Sequence, residues 1–223
     1  MADGTKIEWT DATWNPITGC TVISPGCTNC YAMKLAGGRM KHHPSRQGLT
    51  IETKNGAVWN GMLRFNEQWL DQPLQWKRPR MVFVCAHGDL FHEDVPDEWI
   101  DRIFAVMALC PQHTFQVLTK RPERMLRYVD QAFDRIVDWM FHLVNQDGWP
   151  TAKETGDKHG IPWVQPRSAH DWYPLPSVWL GVSCENQDWA DQRREPLRQL
   201  ALDGWLTWVS YEPALGLVNW SGW

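Results

Sequence analysis

Cys20, Cys27 and Cys30 fall within eleven residues, in the run Gly-Cys-Thr-Val-Ile-Ser-Pro-Gly-Cys-Thr-Asn-Cys-Tyr-Ala over 19–32. Thiolates bind soft, thiophilic metals, and a turn rich in Gly and Pro lets three sulfurs converge on one centre. The segment reads as a metal or iron–sulfur ligand loop. A closed structural zinc site takes four protein ligands, and an ordinary electron-transfer cluster is held by four cysteines. Three cysteines therefore leave one iron of a 4Fe-4S cluster open to a substrate or cofactor. A histidine would instead complete a Cys3His zinc site, and His42, His43, His87 and His92 compete for that place. Free cysteines are commonly buried hydrophobes. Cys85 and Cys110 are assigned to packing on that ground, while Cys184 is left open.

The elements that must position these residues follow a rhythm. Segments 81–86, 114–119, 178–183 and 205–210 are short runs rich in β-branched or aromatic residues and read as buried strands. Helical patterns cover 31–36, stopped by Gly37-Gly38, then 96–107, 122–129, 132–144 and 187–202. Alternating strand and helix predicts parallel strands with right-handed crossovers. The stretch 147–176 has no period and reads as a long loop or lid. One domain over 1–223 is the expectation for this length.

In such sheets the active site lies at the carboxyl ends of the strands. Polar residues gather there: His87, Asp89, His92, Glu93 and Asp94 after the first strand, Lys120-Arg121 after the second, Glu185-Asn186 after the third, Glu212-Pro213 after the fourth. Each has an alternative structural role. Asp94, Glu185 and Asn186 are placed to cap helices, and Lys120-Arg121 before Pro122 could be a solvated turn. Alongside the cysteine loop, Asp89, Lys120 and Glu185 read as functional.

The net charge of −4 gives no global basic field. Local basic sets do occur: Lys34, Arg39, Lys41, His42, His43 and Arg46, then Lys77, Arg78 and Arg80, interleaved with Trp59, Trp69 and Trp76. Most of the 16 tryptophans are expected to serve packing. No apolar run approaches the roughly 20 residues of a spanning helix, so no membrane partner is expected. Six unevenly spread cysteines without a signal peptide fit a reducing cytoplasm.

Several segments together resemble a phage and prophage three-cysteine-motif family, catalogued as a domain of unknown function and related to radical S-adenosylmethionine (SAM) enzymes. They are Thr13-Trp-Asn-Pro-Ile-Thr-Gly-Cys20, the loop ending Cys30-Tyr31-Ala32, Asp89-Leu-Phe-His-Glu-Asp-Val-Pro-Asp97, Val117-Leu-Thr-Lys-Arg-Pro-Glu-Arg124, Trp179-Leu-Gly-Val-Ser183 with Glu185-Asn186, and Glu212-Pro213. The resemblance implies an α/β fold, a partial (β/α) barrel of radical SAM type that is not closed at its C-terminal end or is completed by a partner or second copy. It implies that Cys20, Cys27 and Cys30 hold a 4Fe-4S cluster whose open iron is chelated by SAM. Reductive cleavage would give methionine and a 5′-deoxyadenosyl radical that abstracts hydrogen from a substrate.

On this resemblance Lys120 or Arg121 meets the methionine carboxylate, Asp89 the amino group, Glu185 or Asn186 the ribose, and Tyr31 the adenine. The usual radical SAM loop, C-x3-C-x2-C, has an aromatic before its third cysteine; here the first gap is six and Asn29 stands in that place. Implied partners are a nucleoside, nucleotide or DNA substrate, a flavodoxin-like or chemical electron donor, and a protein encoded nearby in the genome. The setting is the cytoplasm of a phage-infected or prophage-bearing bacterial host, and the reaction an isomerisation of a hypermodified thymidine substituent. Two rivals remain: a non-catalytic zinc or Fe–S nucleic-acid-binding module, and a DNA-repair lyase resembling spore photoproduct lyase.

Overall fold

Short runs of Val, Phe, Leu and Thr, apolar on both faces, make strands that can only be satisfied inside a covered parallel sheet. The computed structural model describes residues 4–5, 7–145 and 172–223. The expected lid at 147–176 lies outside these, apart from 172–176. The strands are β1 (Ala12–Trp14), β2 (Ile17–Thr18), β3 (Thr50–Thr53), β4 (Gly56–Trp59), β5 (Arg64–Phe65), β6 (Met81–Val84), β7 (Thr114–Thr119), β8 (Val178–Ser183) and β9 (Leu206–Ser210). The helices are α1 (Tyr31–Gly37), α2 (Gln72–Gln75), α3 (Asp97–Ala108), α4 (Pro122–Gln131), α5 (Phe133–Val144) and α6 (Gln187–Leu202).

Five strands form one parallel sheet in the order β1-β6-β7-β8-β9. The order only advances, and right-handed crossovers then bring α2 to α6 to the same face. The register agrees. Val82, Phe115 and Val178 are paired across the sheet, as are Val84, Val117 and Leu180. All six join one core with Ile100, Phe104 and Met107 of α3, Met125 of α4, Ile136 of α5 and Leu200 of α6. Each such side chain, fully buried, contributes about 1.5–3 kcal/mol of transfer free energy.

Trp9 lies across the opposite face. Its indole sits 4.8 Å from the Phe83 ring and 5.2 Å from that of Trp208. Its carbonyl accepts a hydrogen bond from Gln116 Nε2 at 3.1 Å.

The strand at 12–14 is too short to show a period in sequence, and the sheet begins there, one strand earlier than expected. The hairpin of β3 and β4 was also not anticipated, although Asn55-Gly56 at its turn is a hairpin signal. It packs with α1 into a second, smaller core of Ala32, Met33, Ala36, Leu49 and Trp59, against which Cys20 and Cys30 lie. Asp94 does not cap α3; Pro96 occupies that position, with Asp97 and Glu98 in the first turn.

Gly37 ends α1 where the hairpin approaches so closely that a Cβ would stand 2.0 Å from the Cβ of Ala57. Neither backbone can yield without opening the small core. Gly37→Ala is expected to cost about 1–3 kcal/mol, read as a lower urea midpoint. An unchanged midpoint would show that α1 and the hairpin are loosely packed.

Candidate functional site

Parallel strands place their carboxyl ends at one edge, and the cysteine loop is fastened there by backbone contacts that only glycine permits. After β1, Asn15 Oδ1 accepts from the His87 amide at 2.9 Å. Gly19 N–H donates to the His87 carbonyl at 3.1 Å, and Gly19 bridges Gly88 in parallel register. Gly19 has φ +101°, and a Cβ there would lie 2.1 Å from the Met62 carbonyl oxygen. The loop tip is a turn of 3-10 helix, Pro25–Cys27, closed by the Cys27 N–H to Ser24 carbonyl bond of 2.9 Å. At that tip a Cβ on Gly26 would meet the Glu185 carboxyl at 3.1 Å and Pro213 at 3.2 Å. The loop thus reaches from the end of β1 to the ends of β8 and β9.

A cavity of about 590 Å³ opens at this edge, within the range of cofactor and ligand sites. Cys20, Cys27 and Cys30 line it together with Tyr31, Asp89, Lys120, Arg121, Ser183 and Glu212, over an apolar floor of Trp9, Trp59, Phe83 and Leu118. All six cysteines are free thiols. Among the described residues no set of three or more His, Cys, Asp or Glu side chains is gathered closely enough to hold a metal ion. The three thiols share a wall rather than a point. Burial, reinforced by the Asp89 carboxylate, pushes the Cys20 thiol up to about 12, with Arg121 opposing.

Asp89 and Arg121 form a buried ion pair at 2.8 Å. Asp89 also accepts from the Phe91 amide at 3.0 Å, the Thr119 hydroxyl at 2.7 Å and the Lys120 amide at 3.3 Å, which fills the acceptor sites of a carboxylate. Arg121 donates further to Glu93, to Thr21 Oγ1 at 2.7 Å and, at 3.9 Å, to Cys20 Sγ. Burial opposes its charge, yet the neighbouring Asp89, Cys20 and Glu93 hold it protonated, above its ordinary range.

A second buried network lies across the cavity. Lys120 Nζ donates to Ser183 Oγ at 2.9 Å and Glu185 Oε2 at 3.0 Å. The same Glu185 oxygen takes Arg193 Nη1 at 2.7 Å, and Arg193 also donates to the Ser183 carbonyl. Glu185 is fully buried. Burial would raise its carboxyl, but the Ser24 hydroxyl with Lys120 and Arg193 outweighs that and leaves it below the usual range.

Of the residues singled out in sequence, the three cysteines, Tyr31, Asp89, Lys120 and Arg121 line the cavity. Tyr31 is half-exposed, its hydroxyl anchored on the Ala86 carbonyl at 2.8 Å. Glu185 stands behind Lys120 rather than on the wall. Asn186 is a helix cap, its Oδ1 accepting from the Trp189 amide at 3.1 Å at the start of α6. Lys120-Arg121 is ion-paired, not a solvated turn.

Three of the competing histidines are engaged elsewhere, and His42 is exposed. His92 Nε2 pairs with Thr21 Oγ1 at 2.9 Å, and His43 Nδ1 with Ser45 Oγ at 2.7 Å. His87 Nδ1 accepts from Arg46 Nε at 3.1 Å. Cys85 packs in the main core but also borders the cavity, at a positive φ of 56° that turns the chain off β6. Cys110 is fully buried. Cys184 is buried too, and desolvation pushes its thiol up to about 11. Arg193, Ser183 and the glycines at 19, 26 and 88 were missed in sequence. Nothing local marks an arginine in mid-helix as buried, whereas the Pro25-Gly26 pair did announce a tight turn.

A family model described as protein of unknown function (DUF5131) matches residues 4–221. No curated protein and no solved structure matches the chain. No described helix is long and apolar enough to cross a membrane.

Two measurements follow from these networks. Glu185→Ala strands Arg193 without its counter-charge and is expected to cost about 3–5 kcal/mol; a change in urea midpoint worth under about 1 kcal/mol would show that water reaches the pair. Burial and the Arg46 charge lower His87 from 6.5 to about 4. The unfolded chain takes up that proton first, so stability falls as pH drops from 6.5 towards 4. His87→Gln should flatten this part of a urea-midpoint profile; an identical slope in the variant would rule the imidazole out as its source.

Proposed function

We propose that this chain, which belongs to the DUF5131 family of proteins of unknown function, is a radical SAM enzyme built on a partial (β/α) barrel. The observation that carries the reading is that Cys20, Cys27 and Cys30 open onto a cavity flanked by two opposed charge groups. The donor set fits a thiophilic 4Fe-4S cluster, and ligation requires the loop to draw the three sulfurs together. When bound and reduced, such a cluster supplies one electron to SAM, whose reductive cleavage provides the agent that removes a hydrogen atom from substrate. The advancing strand order supports the barrel, since it leaves the face behind Trp9 as an interior.

The protein's part is binding and orientation. Lys120 and Arg193 share one carboxylate, Glu185, so that group carries a net positive charge. Arg121 lies between two carboxylates, Asp89 and Glu93, so that group is net negative. A zwitterionic amino-acid end suits such a pair, its carboxylate toward Lys120 and its ammonium toward the opposite side. Lys120 has one of three protons left to donate, while Arg121 is already committed to Asp89, Glu93 and Thr21. Lys120 is therefore the carboxylate partner and Arg121 a positioning residue. Asp89, its acceptor sites filled, acts through its field. Tyr31 offers a ring at the mouth for stacking, and the apolar floor excludes water. With Asn186 spent on a helix cap, Ser210 and Glu212 on the cavity wall take its place towards ribose hydroxyls. For the substrate we carry the reading of a nucleoside or DNA base in a phage context, isomerisation of a thymine substituent ahead of dimer cleavage.

The test is anaerobic reconstitution with iron and sulfide, followed by reductant and SAM. A brown protein with about four irons that forms 5′-deoxyadenosine is expected. Cys27→Ala should lose both cluster and product, while Lys120→Ala should keep the iron and weaken SAM binding about tenfold or more, the scale of one charge-assisted hydrogen bond. A colourless zinc protein, or a cluster inert toward SAM, would overturn the reading.

A further inference from the structure

Charge is not spread evenly along this chain. Residues 12–66 carry six cations, Lys34, Arg39, Lys41, Arg46, Lys54 and Arg64, against the single carboxylate of Glu52, a balance of +5 in a chain whose net charge is −4. The remainder therefore carries −9. Beyond β1 these residues are joined into one layer: α1 packs on β4, Thr18 Oγ1 donates to the Ser45 carbonyl at 2.7 Å, and Arg64 Nη2 donates to the Gln47 carbonyl at 2.7 Å. The layer is the wall of the cavity that bears the cysteines, and Lys34 is tied at 2.9 Å to the cavity residue Asn29.

The ion pairs all fall outside this layer, although Lys77, Arg78, Arg127 and Arg194 there make none among the described residues. Arg102, Lys120, Arg121, Arg124, Arg135 and Arg193 are all paired with carboxylates. None of the six wall cations makes an ion pair among the described residues. Arg46 is nearly fully buried, yet its guanidinium meets only neutral partners, His87 Nδ1 and Ser45 Oγ, and the Trp69 ring at 5.8 Å. A buried cation without a counter-ion is costly, and exposed cations left unpaired keep their field for something outside the chain.

We infer that this wall binds the phosphate backbone of a single-stranded nucleic-acid segment, with phosphates on Lys34, Arg39 and Lys41 and one base turned into the cavity. Single-stranded nucleic acid is favoured over a membrane because the layer that carries these charges also walls an aromatic-lined opening, which Lys34 reaches through Asn29: backbone phosphates take the cations and an unstacked base takes the apolar lining. The inference rests on the proposed radical chemistry only for what the base would undergo. Strand binding needs neither cluster nor SAM, so the two readings fail separately.

The experiment is fluorescence anisotropy of a labelled mixed-sequence single strand with the full chain, across a salt series starting near about 50 mM. Three phosphate contacts predict a slope of about −2 in log affinity against log salt, at about −0.7 per contact. The triple variant K34E/R39E/K41E, all exposed positions, should lose about tenfold or more in affinity and most of that slope. Arg198→Glu, on the outer face of α6, should bind like the parent chain. No binding at low salt, or an unchanged slope in the triple variant, overturns the inference. So does binding to phosphatidylserine vesicles without binding to the strand, which would make the wall a membrane surface. A preference for the duplex of equal length would overturn the single-strand assignment.

Discussion

The buried pair of Asp89 and Arg121 is the contact on which the rest of the site depends. Taking two charges out of water costs several kcal/mol each, and the pair is tolerable only if their remaining donors and acceptors are filled. Here they are filled by three different parts of the chain: the Phe91 amide beyond β6, Thr119 and the Lys120 amide at the end of β7, and Thr21 in the cysteine loop. One electrostatic requirement thus fixes two strand ends and the loop relative to each other. Breaking either partner leaves an uncompensated charge and releases the loop together with the strand end.

The cysteine loop sits between two cores. The main one clamps the sheet and its helices, while the smaller one joins α1, the hairpin of β3 and β4, and the flanks of Cys20 and Cys30. The glycines at 19, 26 and 88 let backbone approach backbone or carboxyl at distances no side chain allows. Rigid anchoring at both ends and a close-packed tip hold three thiols on one wall. This arrangement also explains why the thiols belong to the cavity although no strand carries them.

Charge is organised at two scales. At the cavity, a group with excess positive charge stands opposite one with excess negative charge. Across the chain, acids are concentrated outside residues 12–66, so a molecule with an acidic overall balance presents a cationic wall on one side. Net charge alone conceals this segregation, because fields are set by where the charges lie.

The sequence by itself determined the elements with strong local signals. Strands 114–119 and 178–183 read as strands because they are rich in β-branched and aromatic residues, and α3 announced itself by the acids of its first turn. The three cysteines, and polar residues after each strand, were legible because parallel topology sends all those ends to one edge. Only the tertiary structure decided the rest. Residues 12–14 form a strand through pairing with β6, a contact seventy positions away. Arg193 joins the Lys120 network through Glu185, and Asn186 is structural through the helix it caps. Local sequence specifies what a residue can donate or accept; which partner exhausts that capacity is settled by distant chain segments brought within 3 Å.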